Sequence, residues 1–293
     1  MSAASASAPP SPARAPRIDS PLFRRAVDFV DAGDVASLRQ LLTEHPELGT
    51  ARAEEDGAFA GSYFARPTLL HFVANNPIRA AVMPPNALAV TDAILDAGAD
   101  VDAVTLGGNP HTTLGMVASG QRSREAGVQV ALIELLVRRG ANPSLALDPA
   151  VVHHERDAIA ALLRLGAEPG LEASAGVGDV QRLRRHLASD PPPSPKQIAR
   201  AMHWAASNGQ RATTDALLDA GLIDVNAELE PYGTAAHWAA YNGHRELLEH
   251  LLARGADPSR RDREYGGDLV GWADHAGQRD IAMWLRARKG VQS

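Results

Sequence analysis

The segment that decides the fold runs from Thr234 to Pro258 and reads TAAHWAAYNGHRELLEHLLARGADP. It begins with a threonine that can cap a helix, continues through small alanines, and reaches a glycine suited to a tight turn at Gly243. Four leucines between positions 247 and 252 then form one apolar stripe at helical spacing, and Gly255 ends the pattern. The segment therefore predicts two helices joined by a tight turn and followed by an extended hairpin.

This segment is one copy of a repeat. Tryptophan recurs every 34 residues, at Trp204, Trp238 and Trp272, and a glycine and an arginine recur in the same register. Endings related to Gly-Ala-Asp at 255–257 occur in four earlier places, at 98–102, 140–143, 166–169 and 221–226. A period of about 33 or 34 residues is shared by ankyrin and tetratricopeptide arrays, so the period alone leaves both open.

The residues at each position resemble the ankyrin repeat. The stretch 234–244 is similar to the ankyrin signature Thr-Pro-Leu-His followed by two alanines, Gly and His, and 246–258 resembles the second ankyrin helix with its Gly-Ala-Asp ending. The sequences PTLLH at 67–71 and TTLG at 112–115 supply two further first-helix starts, and 22–48 fits a helix pair without the signature.

The resemblance implies an all-α ankyrin repeat solenoid of about eight helix pairs including caps, because each repeat contributes one pair. We expect it to form a single domain over residues 21–290. Residues 1–20 are rich in Ala, Ser and Pro and lack the apolar stretch of a signal peptide, so we expect a disordered leader.

The middle of the array departs from the pattern. Only 26 residues separate Gly140 from Gly166, and the tryptophan position is held by Pro149 and Ala173 in the middle units. We expect short, irregular repeats there, with tight helix packing at the small residues 173–176 and a concavity as the alternative. Two insertions, 56–66 and 75–86, also interrupt the period, and such loops are frequent sites of function.

Composition narrows the classes of function. The net charge of -6 provides no positive field for nucleic acid, and the chain has no cysteine for disulfides or thiolate chemistry. Its apolar runs are shorter than the roughly 20 residues that a spanning helix needs. We therefore expect a cytoplasmic protein that does not enter the membrane, and nucleic-acid binding is disfavoured.

No residue pattern points to catalysis. The resemblance implies that His71, His203 and His237 are structural, bonding between adjacent repeats, and we expect the recurring tryptophans to fill the core. The sequence HHERD at 153–157 lacks the His-Glu-x-x-His zinc spacing, and no phosphate-binding loop or nucleophile motif occurs. We predict no catalytic residue, no metal site and no cofactor.

Ankyrin proteins generally bind partners with the hairpin tips and the exposed ends of the first helices, on the concave face. In this chain the resemblance implies, as partner-binding residues, Tyr63, Phe64, Arg66, His111, Glu230, Tyr232, Tyr241, Asn242, Glu264, Tyr265 and His275. Tyrosine and arginine are typical anchors in protein interfaces. The alternative is that these side chains only cover the hairpin backbone.

Two functions are compatible with this sequence. The first is a monomeric protein-protein interaction scaffold that binds an unknown protein or peptide partner on the concave face. The alternative is a solenoid adapted to bind a small molecule or to catalyse a reaction, in a pocket near the irregular middle repeats beside His153 and Ala173. A deep cavity lined by converging polar groups would favour the second.

Overall fold

The computed structural model describes residues 20–53, 63–229 and 232–291. Within these ranges the chain forms sixteen α-helices and three short 3-10 helices. Strand pairing there is limited to two isolated bridges, which join Arg52 to Thr68 and Val104 to Thr112. The all-α prediction is confirmed, whereas the predicted disordered leader lies outside the described residues except for Ser20.

The chain divides into two compact units, of which the first spans residues 1–146. Its described α-helices are α1 Pro21–Ala32, α2 Val35–Glu44, α3 Ala87–Asp96, α4 Thr113–Ala118, α5 Gln121–Glu125 and α6 Gln129–Arg138. Its 3-10 helices are Pro46–Gly49, Leu69–Ala74 and Pro143–Ala146. Three helix pairs result, which are α1 with α2, Leu69–Ala74 with α3, and α4 with α6.

The second unit spans residues 147–293. Its described helices are α7 Leu147–Val152, α8 Arg156–Arg164, α9 Leu171–Val177, α10 Val180–Leu187, α11 Pro195–Ser207, α12 Arg211–Asp219, α13 Ala235–Tyr241, α14 Arg245–Ala253, α15 Leu269–His275 and α16 Arg279–Val291. Consecutive helices form five pairs, and the first helices α9, α11, α13 and α15 each contact the next. With the three pairs of the first unit, the described residues contain the eight pairs that the repeat predicts. That all of them form one domain stays a prediction.

The tight turns inside the pairs follow from local sequence. Helix α1 ends at Gly33, whose φ of 69° is left-handed and therefore favours glycine. The next residue, Asp34, starts α2 by accepting the backbone N–H of Ser37 at 3.0 Å. Gly243 makes the corresponding turn between α13 and α14 with a φ of 82°. A glycine recurs at these turns because other residues adopt that conformation only with strain.

The core of the second unit lies between the two helices of each pair. Leu248 and Leu251 of α14 are fully buried, as are the alanines of α13. Burying one leucine side chain stabilises a fold by about 1.5–3 kcal/mol. The leucine stripe read from the sequence therefore supplies the apolar contacts that hold this pair.

Helix α9 carries the small residues of the irregular middle, and it packs tightly. Residues 173–176 are buried, and a Cβ atom on Gly176 would lie 2.5 Å from a methyl carbon of Val151. The expected tight packing is confirmed. The neighbouring helix α11 is longer than a usual first helix because Ser194 caps it early, with Gln197 completing the capping box.

Candidate partner-binding site

Two histidines fix the loops that precede the first helices. The Nδ1 atom of His237 accepts the backbone N–H of Thr234 at 3.2 Å, and its Nε2 atom donates to the carbonyl of Gly267 at 3.3 Å. His71 repeats this arrangement with Thr68 at 3.1 Å and the carbonyl of His111 at 3.2 Å. Both are therefore structural imidazoles that bond to the next repeat, as predicted.

Burial keeps these two imidazoles neutral. It lowers the pKa of His237 and lowers that of His71 to about 4, against the smaller raising effect of their backbone hydrogen bonds. His203 is placed differently, in the middle of α11, because that helix starts at Pro195. Its ring lies 4.2 Å from the ring of Trp238. His203 therefore lies outside the capping position, and its bonding to the adjacent repeat stays a prediction.

A buried carboxylate organises the loop between α14 and α15. Asp262 accepts the backbone N–H groups of Glu264 at 3.0 Å, Tyr265 at 2.7 Å and Gly267 at 2.8 Å. It also accepts the indole N–H of Trp272 at 2.9 Å. Burial raises the pKa of Asp262, but these hydrogen bonds outweigh it and leave the pKa below its usual value. The carboxylate is thus ionised and holds both the loop and the indole in place.

The sequence analysis missed Asp262, although the repeat carries a signal for it. Glu228 occupies the same position one repeat earlier, 34 residues before, and accepts the backbone N–H of Gly233 at 2.8 Å. An acidic residue at this position in consecutive repeats predicts a side chain that fixes the loop. The period could therefore have identified both residues.

An open pocket of about 520 Å³ lies on the loops and first helices of the last two repeats. We call it the aromatic pocket, and it is lined by Tyr232, Trp238, Tyr241, Tyr265, Gly267, Gly271, Trp272 and His275. Six of these eight residues carry rings. These residues are distant in sequence but meet here, because the loop residues and the ends of α13 and α15 face the same side of the repeats.

The rings of the aromatic pocket pack against one another at steep angles. Trp238 and Trp272 meet with centroids 5.1 Å apart and planes at 83°. Tyr241 lies 5.9 Å from each of them, edge to face, and Tyr232 lies 5.9 Å from Trp238 and 5.7 Å from Trp272. The indole N–H of Trp238 donates to the carbonyl of Tyr232 at 2.8 Å. Both indoles are therefore anchored by hydrogen bonds, which set their positions within the repeats.

The structure brings four of the predicted partner-binding residues together in this pocket, namely Tyr232, Tyr241, Tyr265 and His275. Glu264 is exposed beside them in the same loop. Asn242 is half-buried and donates its side-chain amide to the carbonyl of Trp238 at 3.0 Å, so it ends helix α13. Glu230 lies outside the described residues.

The predicted residues of the first unit form a separate group. Tyr63 packs edge to face on His111 at 5.7 Å and donates its hydroxyl to Asn76 at 2.9 Å. Arg66 is exposed, but Phe64 is fully buried and packs on Phe72 at 5.3 Å. The prediction that Phe64 contacts a partner is therefore corrected, because its ring belongs to the core.

The tryptophan prediction holds for two of the three recurring residues. Trp204 and Trp272 are 7% and 6% exposed, as expected of core residues. Trp238 is only half-buried and forms a wall of the aromatic pocket. The prediction that Trp238 is core filler is corrected, since one part of its ring packs inside the repeat while another faces the pocket.

A smaller cavity of about 220 Å³ lies beside the irregular middle, between residues of α7, α11 and α13. His154 reaches it and contacts the side-chain oxygen of Asn208 at 3.0 Å. Burial lowers the pKa of the neighbouring His153, while Ala173 is buried in packing. Across the described residues, no three His, Asp or Glu side chains are grouped as metal ligands would be. Among these residues, no helix combines the length and apolar character of a transmembrane segment.

Comparison with known proteins agrees with this geometry. Residues 177–262 match the family model described as ankyrin repeats (3 copies). The protein contains ankyrin repeats. The matched stretch includes α13 and α14 and the loops that hold Glu228, Tyr232 and Asp262. Ankyrin repeats generally mediate interactions between proteins.

The solved structures that the chain matches include the crystal structure of the human ASB11 ankyrin repeat domain. It is 18% identical, with 92% of this chain and 97% of that chain covered and a TM-score of 0.46. A chain in the crystal structure of the yeast ribosomal protein Rps3 in complex with its chaperone Yar1 is 24% identical, with 39% and 87% covered and a TM-score of 0.33. No curated protein sequence matches the chain.

Proposed function

We propose that the protein binds a protein or peptide partner in the aromatic pocket of its second unit. The observation that carries this proposal is that large aromatic side chains are exposed above an indole ring held in place by a hydrogen bond. Tyr265 is 71% exposed and Tyr241 is 36% exposed, while the indole of Trp272 beneath them is held by Asp262. Exposed tyrosines that combine a large apolar area with a polar end are frequent anchors of binding energy in interfaces.

The rigidity of the pocket supports this proposal. The hydrogen bonds of Trp238 and Trp272 fix the two indoles, so binding does not have to order them and costs less conformational entropy. The volume of about 520 Å³ lies within the range of about 300–1,000 Å³ that binding pockets usually have. It suits a side chain or a short peptide segment, whereas the cavity of about 220 Å³ beside α7 falls below that range.

Site-specific photo-crosslinking tests the proposal. His275 and Tyr265, both exposed at the pocket, are replaced one at a time by p-benzoylphenylalanine and irradiated in native lysate. We expect a common crosslinked protein from both positions. Glu246, exposed on α14, provides the matched control and should give no such product. The same product from Glu246, or no product from either pocket position, would show that the partner does not bind in this pocket.

A double variant checks that the contact contributes to affinity. Tyr241→Ser with Tyr265→Ser removes two exposed rings and should weaken capture of the crosslinked protein at least about tenfold, as expected for two anchor residues. Circular dichroism of the variant should match that of the wild type, because both side chains are largely outside the core. Unchanged capture would contradict the assignment of these tyrosines.

A further inference from the structure

The walls of the aromatic pocket are chemically unusual because they are mostly ring faces and edges. The face of an aromatic ring carries partial negative charge, and a cation within about 6 Å of its centroid is attracted to it. Tyr241 and Tyr265 expose their rings at the pocket, and they stand with the half-buried Trp238 over the buried Trp272. The pocket can therefore present several rings to a single bound group. Such an arrangement favours a positively charged occupant.

Fixed negative charge near the rings strengthens this preference. The ionised Asp262 accepts the indole N–H of Trp272 at 2.9 Å, which increases the electron density of that ring. Glu264 is exposed in the same loop. The opposing charges of this loop are those of Arg263, which is exposed next to Glu264, of the half-buried Arg260, and of Arg261, whose guanidinium donates to the carbonyl of Gly266 at 2.6 Å. The carboxylate in contact with the pocket wall is therefore the charge best placed to act on a bound group.

The chain already binds a cation at the corresponding ring of its first unit. Phe72 follows His71 as Trp238 follows His237, so the two rings hold the same position in their repeats. The guanidinium of Arg79 lies 4.6 Å from the centroid of Phe72, held there by Asp31 at 2.7 Å. In the second unit the same ring position opens into the aromatic pocket. A cation from a partner can occupy there the place that Arg79 occupies in the first unit.

The lining distinguishes between kinds of cation. A free ammonium group carries three N–H donors and is strongly hydrated, so it needs oxygen acceptors to replace its water. None of the eight residues that line the described pocket is a carboxylate, and the side-chain oxygens they offer are the neutral hydroxyls of three tyrosines. A quaternary ammonium group has no N–H donor and an apolar surface, and it keeps its charge. Ring faces satisfy such a group without any further acceptor.

We propose that the aromatic pocket binds a quaternary ammonium group, supplied by a trimethylated lysine of a peptide partner. This inference rests on the proposed function, because it names the group that the partner inserts. A choline lipid headgroup presents the same cation, but it also brings a phosphate close to it. The loop beside the pocket carries three arginines together with Asp262 and Glu264, so its charge does not discriminate against that phosphate. We name the peptide because it is the partner of the proposed function, and the vesicle experiment below tests the headgroup.

Three small probes test the chemistry directly on the full chain. They are Nα-acetyl-Nε-trimethyllysine methyl amide, its unmethylated lysine form, and the neutral analogue in which carbon replaces the charged nitrogen. Titration is followed by tryptophan fluorescence and by NMR. We expect the trimethylated probe to bind about tenfold more tightly than either of the others, since cation–π contacts of a desolvated cation are of this order. Equal binding of the neutral analogue, or of unmethylated lysine, would overturn the proposal.

Paired variants locate the binding in the pocket. Tyr241→Leu and Tyr265→Leu keep apolar area but remove the ring, whereas Tyr241→Phe and Tyr265→Phe keep the ring and remove only the hydroxyl. The leucine variants should weaken binding of the trimethylated probe several-fold, and the phenylalanine variants should bind it as the wild type does. Circular dichroism confirms that all four fold. Leucine variants with wild-type affinity would place the probe elsewhere and overturn the proposal.

Two further arms separate this inference from the proposed function. If the crosslinks at His275 form but the trimethylated probe does not compete with them, the partner-binding function stands and the methylammonium inference is wrong. If the crosslinks do form and the probe competes while free lysine does not, both stand. Sedimentation with phosphatidylcholine vesicles that depends on Tyr241 and Tyr265 would overturn the peptide as the source of the group.

Discussion

The two units of this protein build the same local motif and finish it differently. In both, a Thr-x-x-His sequence caps a short helix, and an aromatic residue follows the histidine. In the first unit that residue is Phe72, which is buried beneath Phe64 and Phe23 with Arg79 over its face. In the second unit it is Trp238, which is half-buried and open to the aromatic pocket. The comparison shows that the repeat fixes the position of the ring, while residues outside the motif decide whether the ring is buried in the core or lines an open pocket.

The largest expected effect is a difference in stability between variants of Phe72 and of Trp238. Phe72→Ala should lower the free energy of unfolding by about 3–5 kcal/mol, the usual range for a buried aromatic side chain. Trp238→Ala should cost clearly less, about 2 kcal/mol, because the face of the ring toward the pocket makes no core contacts. Urea denaturation followed by circular dichroism measures both. Equal losses would mean that the half-buried position of Trp238 has no energetic consequence.

The pH dependence of stability tests the burial of His71, next to Phe72 in the first unit. The folded pKa of His71, about 4, lies below its unfolded value near 6.5, so the folded state binds this proton less readily. The stability that the neutral imidazole provides is present above pH 6.5 and is lost as pH falls toward 4, by about 3 kcal/mol in all. Unfolding free energies of wild type and His71→Gln between pH 7 and 4 should therefore converge. Parallel curves would contradict the lowered pKa.

Removal of the cation from the face of Phe72 should lower the free energy of unfolding somewhat less. Arg79→Met removes the guanidinium from Phe72 and leaves Asp31 without its partner, and the Arg79 side chain is only 5% exposed. We expect a loss of about 2 kcal/mol, below the range for a fully buried pair because Asp31 still reaches solvent. Arg79→Lys is the matched control and should lose less. A loss under about 0.5 kcal/mol would show that the cation over Phe72 contributes little.

The smallest expected effect on stability is that of a substitution in the aromatic pocket. Tyr265→Leu should change the free energy of unfolding by less than about 0.5 kcal/mol, because the side chain is largely exposed. Urea denaturation followed by circular dichroism measures this change as well. A larger loss would mean that Tyr265 covers the loop backbone, which is the structural alternative to partner binding.

The sequence predicted those features that depend on local, repeated residues. Thr234 and the leucine stripe lie within one repeat, so their roles follow from the local pattern, and the role of His237 follows from the ankyrin resemblance. The partial exposure of Trp238 could not be predicted in this way, because burial of a ring at this position depends on residues far away in sequence. In the first unit such distant residues cover Phe72, and in the second unit the ring of Trp238 stays half-buried. The prediction for Phe64 failed for the same reason, since an apolar ring in an insertion was free to join the core. The convergence of Tyr232, Tyr241 and Tyr265 was only implied by their places in successive repeats.

The carbonyl group of Gly267 links two consecutive repeats. The oxygen of Gly267 accepts both the backbone N–H of Asp262 at 3.0 Å and the Nε2–H of His237 at 3.3 Å. The carbonyl that closes the loop is thus also bonded to a side chain of the preceding repeat, so the loop cannot open alone without breaking both hydrogen bonds. In hydrogen-exchange experiments the amide of Asp262 should therefore exchange together with the amides of α13, as one cooperative opening unit. Fraying confined to α16 would then leave both this loop and the pocket in place.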